Sequence, residues 1–247
     1  MSAPSSIDTS AAALAHAWST DSLTESPFSA RVPDRVEAYA IQDRLVELLS
    51  PRLGPRVGWK LGMTAPGLAD DPIVGPIHRE MLVAPGSRVK IRPGMLIEVE
   101  IALHIRPDAD PERLALSDLE VGAAFEILGF RTSSREVCDG IADLATMHHV
   151  VLGSTRPLGE VADLGRLEGT LGVDGDQVAM GVSHQTVAPP LESLDWLQGH
   201  LFARRRRLAP GDAVITGSLT GQFPVRPGKR HTGSISGLAT ISIEFDH

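Results

Sequence analysis

The chain has one cysteine, Cys138, in 247 residues. It can form no intrachain disulfide, and zinc patterns built from several cysteines are excluded. No stretch approaches the roughly 18 consecutive apolar residues of a membrane span. The N-terminal Met-Ser-Ala-Pro-Ser-Ser has neither the basic nor the apolar region of a secretory signal, so a soluble cytoplasmic protein with no membrane partner is expected. Cationic residues are in deficit: 23 Lys and Arg against 31 Asp and Glu give a net charge of −8. A nucleic-acid binder carries the opposite balance on its binding face. An anionic small molecule is not excluded, because a site can be locally cationic in an acidic protein. Aromatics make up 4% of the chain, which leaves the core to aliphatic side chains.

What the chain does have is 24 glycines and 18 prolines, as expected for strands joined by frequent turns. Asp8 to Trp18 is Ala-rich and reads as a helix. Pro33 is expected to open a second helix, with Val36, Tyr39, Ala40, Ile41, Leu45, Leu48 and Leu49 at helical spacing and Ser50-Pro51 as its stop. Val57 to Met63 is a short apolar stretch interrupted by Lys60, and strands prevail from Pro85 onward. Ser117-Asp118-Leu119-Glu120 matches a capping box and predicts a helix running toward Glu126. Asp174-Gly175-Asp176 between two apolar runs predicts a hairpin. Pro190 opens an amphipathic helix with Leu191, Leu194, Leu197 and Leu201 inward, and Arg204 to Arg207 read as its solvated, dipole-complementing end. The expected architecture is α+β: a smaller helical N-terminal region over 1–84 and a β-rich part over 85–247.

Chemistry concentrates in Met95-Leu96-Ile97-Glu98-Val99-Glu100-Ile101-Ala102-Leu103-His104-Ile105. The alternation is that of a strand, so Glu98 and Glu100 share a face about 6–7 Å apart. Two such carboxylates repel unless a proton or cation intervenes, and hard oxygen donors suit Mg²⁺, Mn²⁺ or Ca²⁺. The competing reading is a strand with one wet face. Lys60, flanked by Gly58 and Gly62, is a candidate base or anion partner if buried, and an edge-strand lysine otherwise. Glu126, in Ala123-Ala124-Phe125-Glu126-Ile127, offers a third carboxylate. Thr216-Gly217-Ser218-Leu219-Thr220-Gly221 follows a strand and can form an anion-holding concavity. His148 and His149, adjacent on a strand, point to opposite faces and cannot both serve one site. Asp139 and Asp143 read as loop or helix-cap residues.

Taken in order, several segments resemble the hydratase/decarboxylase branch of the fumarylacetoacetate hydrolase superfamily. They are Ala38-Tyr39-Ala40-Ile41-Gln42, Gly58-Trp59-Lys60-Leu61-Gly62, Ile97 to Ala102, Phe125-Glu126-Ile127, Ile141-Ala142-Asp143, Pro210-Gly211-Asp212, Thr216-Gly217, Pro227-Gly228 and Ser234 to Phe245. The resemblance runs from about Val32 to the C-terminus. It implies a mixed β-roll or barrel with a helical N-terminal region, in a homo-oligomeric enzyme of aromatic catabolism. It also implies Mg²⁺ or Mn²⁺ on Glu98, Glu100 and Glu126, chelating a 2-oxo acid beside Lys60. Asp71 and Thr146 are the further catalytic candidates, and Leu61, Thr216 and Gly217 the substrate-binding ones. The implied activity is a 2-keto-4-pentenoate-type hydratase, with a 4-oxalocrotonate-like decarboxylase as the alternative. Behind these stand an acylpyruvate hydrolase, whose Gly-Arg-Asn-Tyr type motif the chain lacks, and a non-catalytic homologue. The chain departs from the hydratase pattern at Ile73, where an acidic residue is usual and where Asp70, Asp71 or His78 are the possible substitutes. It departs again at Leu144, where an asparagine is usual, and at Ala188-Pro189-Pro190.

Overall fold

Both N-terminal helices start at residues that can cap them. In the computed structural model, which describes residues 5–29, 32–65, 67–68, 71–92, 94–161 and 163–246, α1 spans Ser6–Thr20 and α2 spans Arg35–Leu53. Ser5 Oγ accepts from Asp8 N at 3.1 Å, and Asp34 Oδ1 from Val36 N at 3.0 Å, each satisfying a donor the helix start leaves unpaired. Pro33 therefore precedes the cap instead of opening the helix. Pro51 does not stop α2 either: it sits in the last turn, which continues to Leu53. The carbonyl it cannot serve, that of Glu47, accepts from Ser50 Oγ at 2.9 Å. Val36, expected inward, is exposed, and the buried stripe is Ala38, Tyr39, Ile41, Gln42, Leu45, Leu49 and Leu53.

The strands are β1 (Arg56–Gly62), β2 (Ile73–His78), β3 (Arg88–Lys90), β4 (Leu96–Ile105), β5 (Leu119–Leu128), β6 (Met147–Leu152), β7 (Arg156–Pro157), β8 (Glu168–Val173), β9 (Asp176–Val182), β10 (Ala213–Ser218), β11 (Phe223–Pro224), β12 (Arg230–Ile235) and β13 (Ile241–Asp246). Among the described residues the α-helices after α2 are α3 (Val137–Ala142), α4 (Ser183–Thr186) and α5 (Pro190–Ala203). The described residues form a large sheet of order β2-β1-β10-β4-β5-β6, with β11 on β4 and β7 on β5, and a second sheet of order β3-β13-β12-β8-β9. The β1–β10 and β3–β13 pairs are parallel and the rest antiparallel. The second sheet lies against the apolar face of the first. At Gly233 on β12 a Cβ would come within 2.7 Å of the Phe125 ring, so glycine permits the approach. The fold is an α+β mixed β-roll. β1 and β2, although they precede residue 84, belong to the large sheet through the β1–β10 pairing, and the helical part itself ends at Leu53. Among the described residues no helix is long and apolar enough to cross a membrane.

The segment after Ser117 is not a helix. A single 3₁₀ turn, Leu116–Asp118, leads directly into β5. The Asp118 carboxylate accepts from Ala115 N at 2.8 Å, and all ten residues from Leu119 to Leu128 pair with β4. Long-range pairing overrides the local helix signal. The Asp174-Gly175 hairpin forms as expected, with both residues at positive φ (50° and 94°). The arginines after α5 are not a free solvated end. Arg204 and Arg206 both pair with Asp43 of α2, at 2.9 and 2.7 Å, and Arg207 pairs with Glu112.

α1 is locked to the core through Trp18. Its Nε1 donates to Asp143 Oδ1 at 3.1 Å, and the buried Arg131 guanidinium lies 3.4 Å from its ring centroid. His148 stacks on Trp18 at 5.9 Å and meets His149 edge-on at 4.2 Å. Burial drives His148 well below the ordinary imidazole range and pushes His149 and His200 down to about 4. A histidine depressed in the fold contributes stability above its unfolded pKa near 6.5 and loses it as pH falls toward 4. Asp143, raised by burial to about 6, works in the opposite direction over the same window. The contribution of one imidazole is isolated by difference. The denaturation midpoint should fall more steeply between pH 6.5 and 4 in the native sequence than in His149→Gln, and parallel curves would refute it.

Candidate active site

β4 and β5 pair so that Glu98 faces Glu126 and Glu100 faces Ala124. Side chains two apart on one strand share a face, and directly opposed residues lie about 5 Å apart at Cβ. The pleat therefore gathers Glu98, Glu100 and Glu126, whose carboxylate oxygens lie within 4.8 Å of one another. All three are buried, at 8%, 1% and 1% exposure, which removes the wet-face reading of the strand. Lys60 reaches them from β1, two strands from β4 and three from β5 in the sheet, with Nζ 2.7 Å from Glu126 Oε1. It is 3% exposed and not an edge lysine.

A bulge shapes the opposite side. The β10–β4 register shifts between Ile215 and Ser218, and the extra residues turn Gly217 N inward to donate to Glu100 Oε2 at 2.8 Å. Gly217 has φ 112°, and a Cβ there would overlap Thr64 Oγ1, so glycine is required. The anion held by the Thr216–Gly221 turn is thus the carboxylate of Glu100. Two other groups of the turn serve β4: Leu219 N donates to Val99 O at 2.8 Å, and Thr220 Oγ1 accepts from Val99 N at 3.2 Å.

Electrostatics are unbalanced. Three carboxylates meet one ammonium. Burial, reinforced by Glu126 and only partly offset by Lys60, pushes Glu98 up to about 8. Burial followed by Glu126 and Glu98 holds Glu100 well above the carboxylate range. Burial pulls Lys60 down, but Glu126, Glu98 and Glu100 together outweigh it and keep the amine above its ordinary value. Among the described residues no donor reaches Glu126 Oε2. Fully ionised, the cluster carries a net −2, and its free ligands are hard oxygens. Those are the charge and donor set that a divalent cation of the Mg²⁺, Mn²⁺ or Ca²⁺ type satisfies.

The cluster lies in a cleft of about 540 Å³ with Leu61, Met63, Ile73 and Leu128 among its apolar walls and Thr146 and Gln222 among its polar ones. Of the residues expected here, Lys60, Leu61, Glu98, Glu100, Glu126, Thr146 and Gly217 line one cavity. Thr216 does not. Its side chain is buried behind the wall, donating to Ile101 O at 3.2 Å, while its carbonyl accepts from Thr64 Oγ1 at 3.1 Å. Asp71 is not brought to the cluster either. It lies in a separate cleft beside Arg35, Tyr39 and His200, because Arg35 Nη2 holds the Asp71 and Pro72 carbonyls on the α2 side at 3.3 and 2.6 Å. Ile73 faces the catalytic cavity instead. His78 bonds Gly54 O at 2.8 Å, away from the cleft, and Asp70 lies outside the described residues. Asp139 and Asp143 are buried supports, accepting from Ser26 Oγ and Trp18 Nε1. His148 and His149 do not reach the cleft. Ser218 and Thr186 line it without having been singled out. Ser218 sits in the Thr216–Gly221 run, whereas Thr186 has no local signal.

Thr146 enters the cleft from a strained segment. Leu144, Ala145 and Thr146 all have positive φ, at 52°, 53° and 63°. For residues with a Cβ this costs roughly 1–2 kcal/mol apiece, so the surroundings must impose it. Thr146 N donates to Asp143 O at 2.8 Å, and its carbonyl accepts from Gly129 N at 2.9 Å.

No family model matches the chain. A 2-keto-4-pentenoate hydratase from Paraburkholderia phymatum is 29% identical over 262 residues, 99% of each sequence. The 4-oxalocrotonate decarboxylase of Pseudomonas putida G7, complexed with magnesium and adipate, superposes with a TM-score of 0.85 at 23% identity over 97% of each chain. Fumarylpyruvate hydrolase from Pseudomonas aeruginosa, in complex with Mn²⁺ and pyruvate, gives a TM-score of 0.57 at 20% identity over 78% of this chain and 89% of its own. The chain is thus similar over nearly its full length to a 2-keto-4-pentenoate hydratase, and it has the fold of a 4-oxalocrotonate decarboxylase.

Proposed function

We propose that this chain is a divalent-metal-dependent lyase that hydrates a 2-oxo or 2-hydroxy-dienoic acid of the 2-keto-4-pentenoate type. The observation that carries the reading is the buried Glu98–Glu100–Glu126 cluster with its uncompensated charge. These three carboxylates would hold Mg²⁺ or Mn²⁺. Bound there, the ion would supply Lewis-acid stabilisation of the negative charge that develops on a 2-oxo group. Lys60 Nζ, against Glu126, is the group placed to hold and move the proton exchanged with the substrate carbon. Gly217 N fixes Glu100, and Leu61 and Gly217 shape the substrate wall. Thr146, whose hydroxyl proton goes to Ala145 O at 2.7 Å, would accept from a water in the cleft and orient it, and Asp71 has no part in this reading. Exposed Val36 on α2 and Phe202 on α5 supply apolar surface for the homo-oligomer that the reading includes, in a cytoplasmic setting.

One observation favours the decarboxylase alternative. Ile73 lines the cleft, and the described lining residues include no carboxylate beyond the three glutamates to activate water. The two are separated with Mg²⁺-loaded enzyme on 2-hydroxypenta-2,4-dienoate and on 4-oxalocrotonate. The expected result is water addition to the dienoate, abolished by a chelator and restored by Mg²⁺ or Mn²⁺, with no CO₂ released. CO₂ from oxalocrotonate without hydration would replace the reading by its alternative.

A further inference from the structure

Gln42 is a fully buried amide on α2, outside the carboxylate-lined cleft. Arg35, Tyr39 and Gln42 recur at i, i+4 and i+7, one stripe of α2. That stripe faces β2, the edge of the large sheet, where outward backbone groups lack a strand partner. Arg35 takes the carbonyls of residues 71 and 72 just before it. Val74 N donates to Tyr39 Oη at 3.1 Å, and Gln42 Nε2 donates to Val74 O at 2.9 Å. Two residues on, Pro76 has no N–H to satisfy.

Gln42 does more than close the edge. The same Nε2 donates to Ile141 O at 2.8 Å, near the end of α3. Both neighbours are carbonyls, so the amide orientation is dictated, and Oε1 is left without a partner. From Ile141 the chain passes through Asp143 into the left-handed run Leu144–Thr146. That run returns to β2: a Cβ on Gly75 would lie 2.6 Å from Leu144 O, so the two backbones touch. Val74 is flanked by Ile73, which lines the cleft, and by Gly75, which pairs opposite Lys60. One amide group therefore joins the wall that carries Lys60 to the wall that carries Thr146, at a point where the second wall is strained.

We propose that Gln42 is a positioning residue: it clamps the strained Leu144–Thr146 run to β2 and so sets Thr146 across the cleft from Lys60. The kinetic consequence rests on the function proposed above, whereas the structural one does not.

The test is Gln42→Met, similar in volume and without donors. In the metal-free protein, hydrogen exchange should rise together over residues 73–78 and 143–147 and stay unchanged over 96–105. Binding of Mn²⁺, and of oxalate to the Mn²⁺-loaded protein, should stay within about threefold of the native value, because the glutamates lie on β4 and β5. Turnover should fall about 10- to 100-fold at nearly constant KM, the scale of an ångström-level misplacement. Adding Ala145→Gly should recover part of that loss, because glycine accepts the left-handed conformation without strain. A purely structural bond would give additive effects and no recovery. Unchanged exchange over 143–147, or unchanged turnover, overturns the proposal. If the native enzyme turns over no dienoate, the functional reading fails and the exchange result still decides this one. Should Gln42→Met not fold, Gln42→Asn, which keeps an amide one methylene too short to span the Val74 and Ile141 carbonyls together, should deprotect the same two segments, and its failure to do so overturns the proposal equally.

Discussion

Glu98→Gln should make the metal-free protein more stable while abolishing its response to divalent metal and its turnover. The two effects share one cause. Glu98 is buried against Glu126, and its carboxyl is pushed up to about 8, chiefly by burial. A group raised in the fold contributes stability below its unfolded pKa and loses it as pH rises through the folded value. The native protein without metal should therefore weaken between about pH 4.5 and 8, and the amide variant should not share that part of the loss. Well above pH 8 the gain is of the order of 1–3 kcal/mol, discounted because Lys60 and Glu126 share the charge. That is roughly 3–10 °C in Tm for a chain of this length. Metal closes this difference. An ion at a hundred times its Kd stabilises the native protein by about 2.7 kcal/mol, whereas the variant, lacking one of three anionic ligands, should show almost no shift. Turnover should drop by about 10³-fold or more. Thermal scans at pH 7 and 9, with and without Mg²⁺, read the stability effects, and steady-state kinetics read the turnover. A variant that is less stable without metal, yet still shifted by Mg²⁺, would contradict the account.

Lys60→Met should show the opposite stability pattern. Without metal, removing the ammonium leaves Glu126 buried beside two other carboxylates. Breaking a buried pair in this way costs about 3–5 kcal/mol. Metal should restore that loss, so the Mg²⁺-induced Tm shift should exceed that of the native protein. Metal affinity should be kept or improved, since the cation at 2.7 Å from Glu126 no longer opposes the ion. Turnover should nevertheless fall about 10²- to 10⁴-fold, the range for loss of a positioned proton-transfer group. A Mn²⁺ titration alongside steady-state kinetics separates the two effects. Loss of metal affinity in step with activity would mean that Lys60 supports the metal centre and does not move the proton.

Glu98 and Glu100 are legible from sequence because a strand's period of two is visible in eleven residues, and Lys60 because a lysine between glycines in an apolar run is conspicuous. Glu126 is visible as an acid in apolar company, but its element is not. Ser117 and Glu120 imitate a helix cap, and Ala123-Ala124 favour a helix. Only pairing with β4, some twenty residues away, makes the segment a strand. Asp71 illustrates a different limit. It precedes Ile73 closely in the chain, yet Arg35 holds that backbone toward α2 and turns the carboxylate to another cleft. At Thr216 a bulge decides which residue faces inward, and a one-residue shift exchanges a wall residue for a buried one. Gln42 stands in a recognisable segment, but its two acceptors lie 32 and 99 residues away. No local pattern reveals such a bond.

The proposed function stands on Glu98, Glu100 and Glu126 forming one divalent-metal site that serves a 2-oxo acid. It is tested most directly by calorimetric titration of the metal-free protein with Mn²⁺ and then oxalate. One ion per chain is expected, with oxalate binding only after that ion and both lost in Glu98→Gln/Glu100→Gln. Oxalate binding without metal, or Mn²⁺ binding that survives the double substitution, would contradict it.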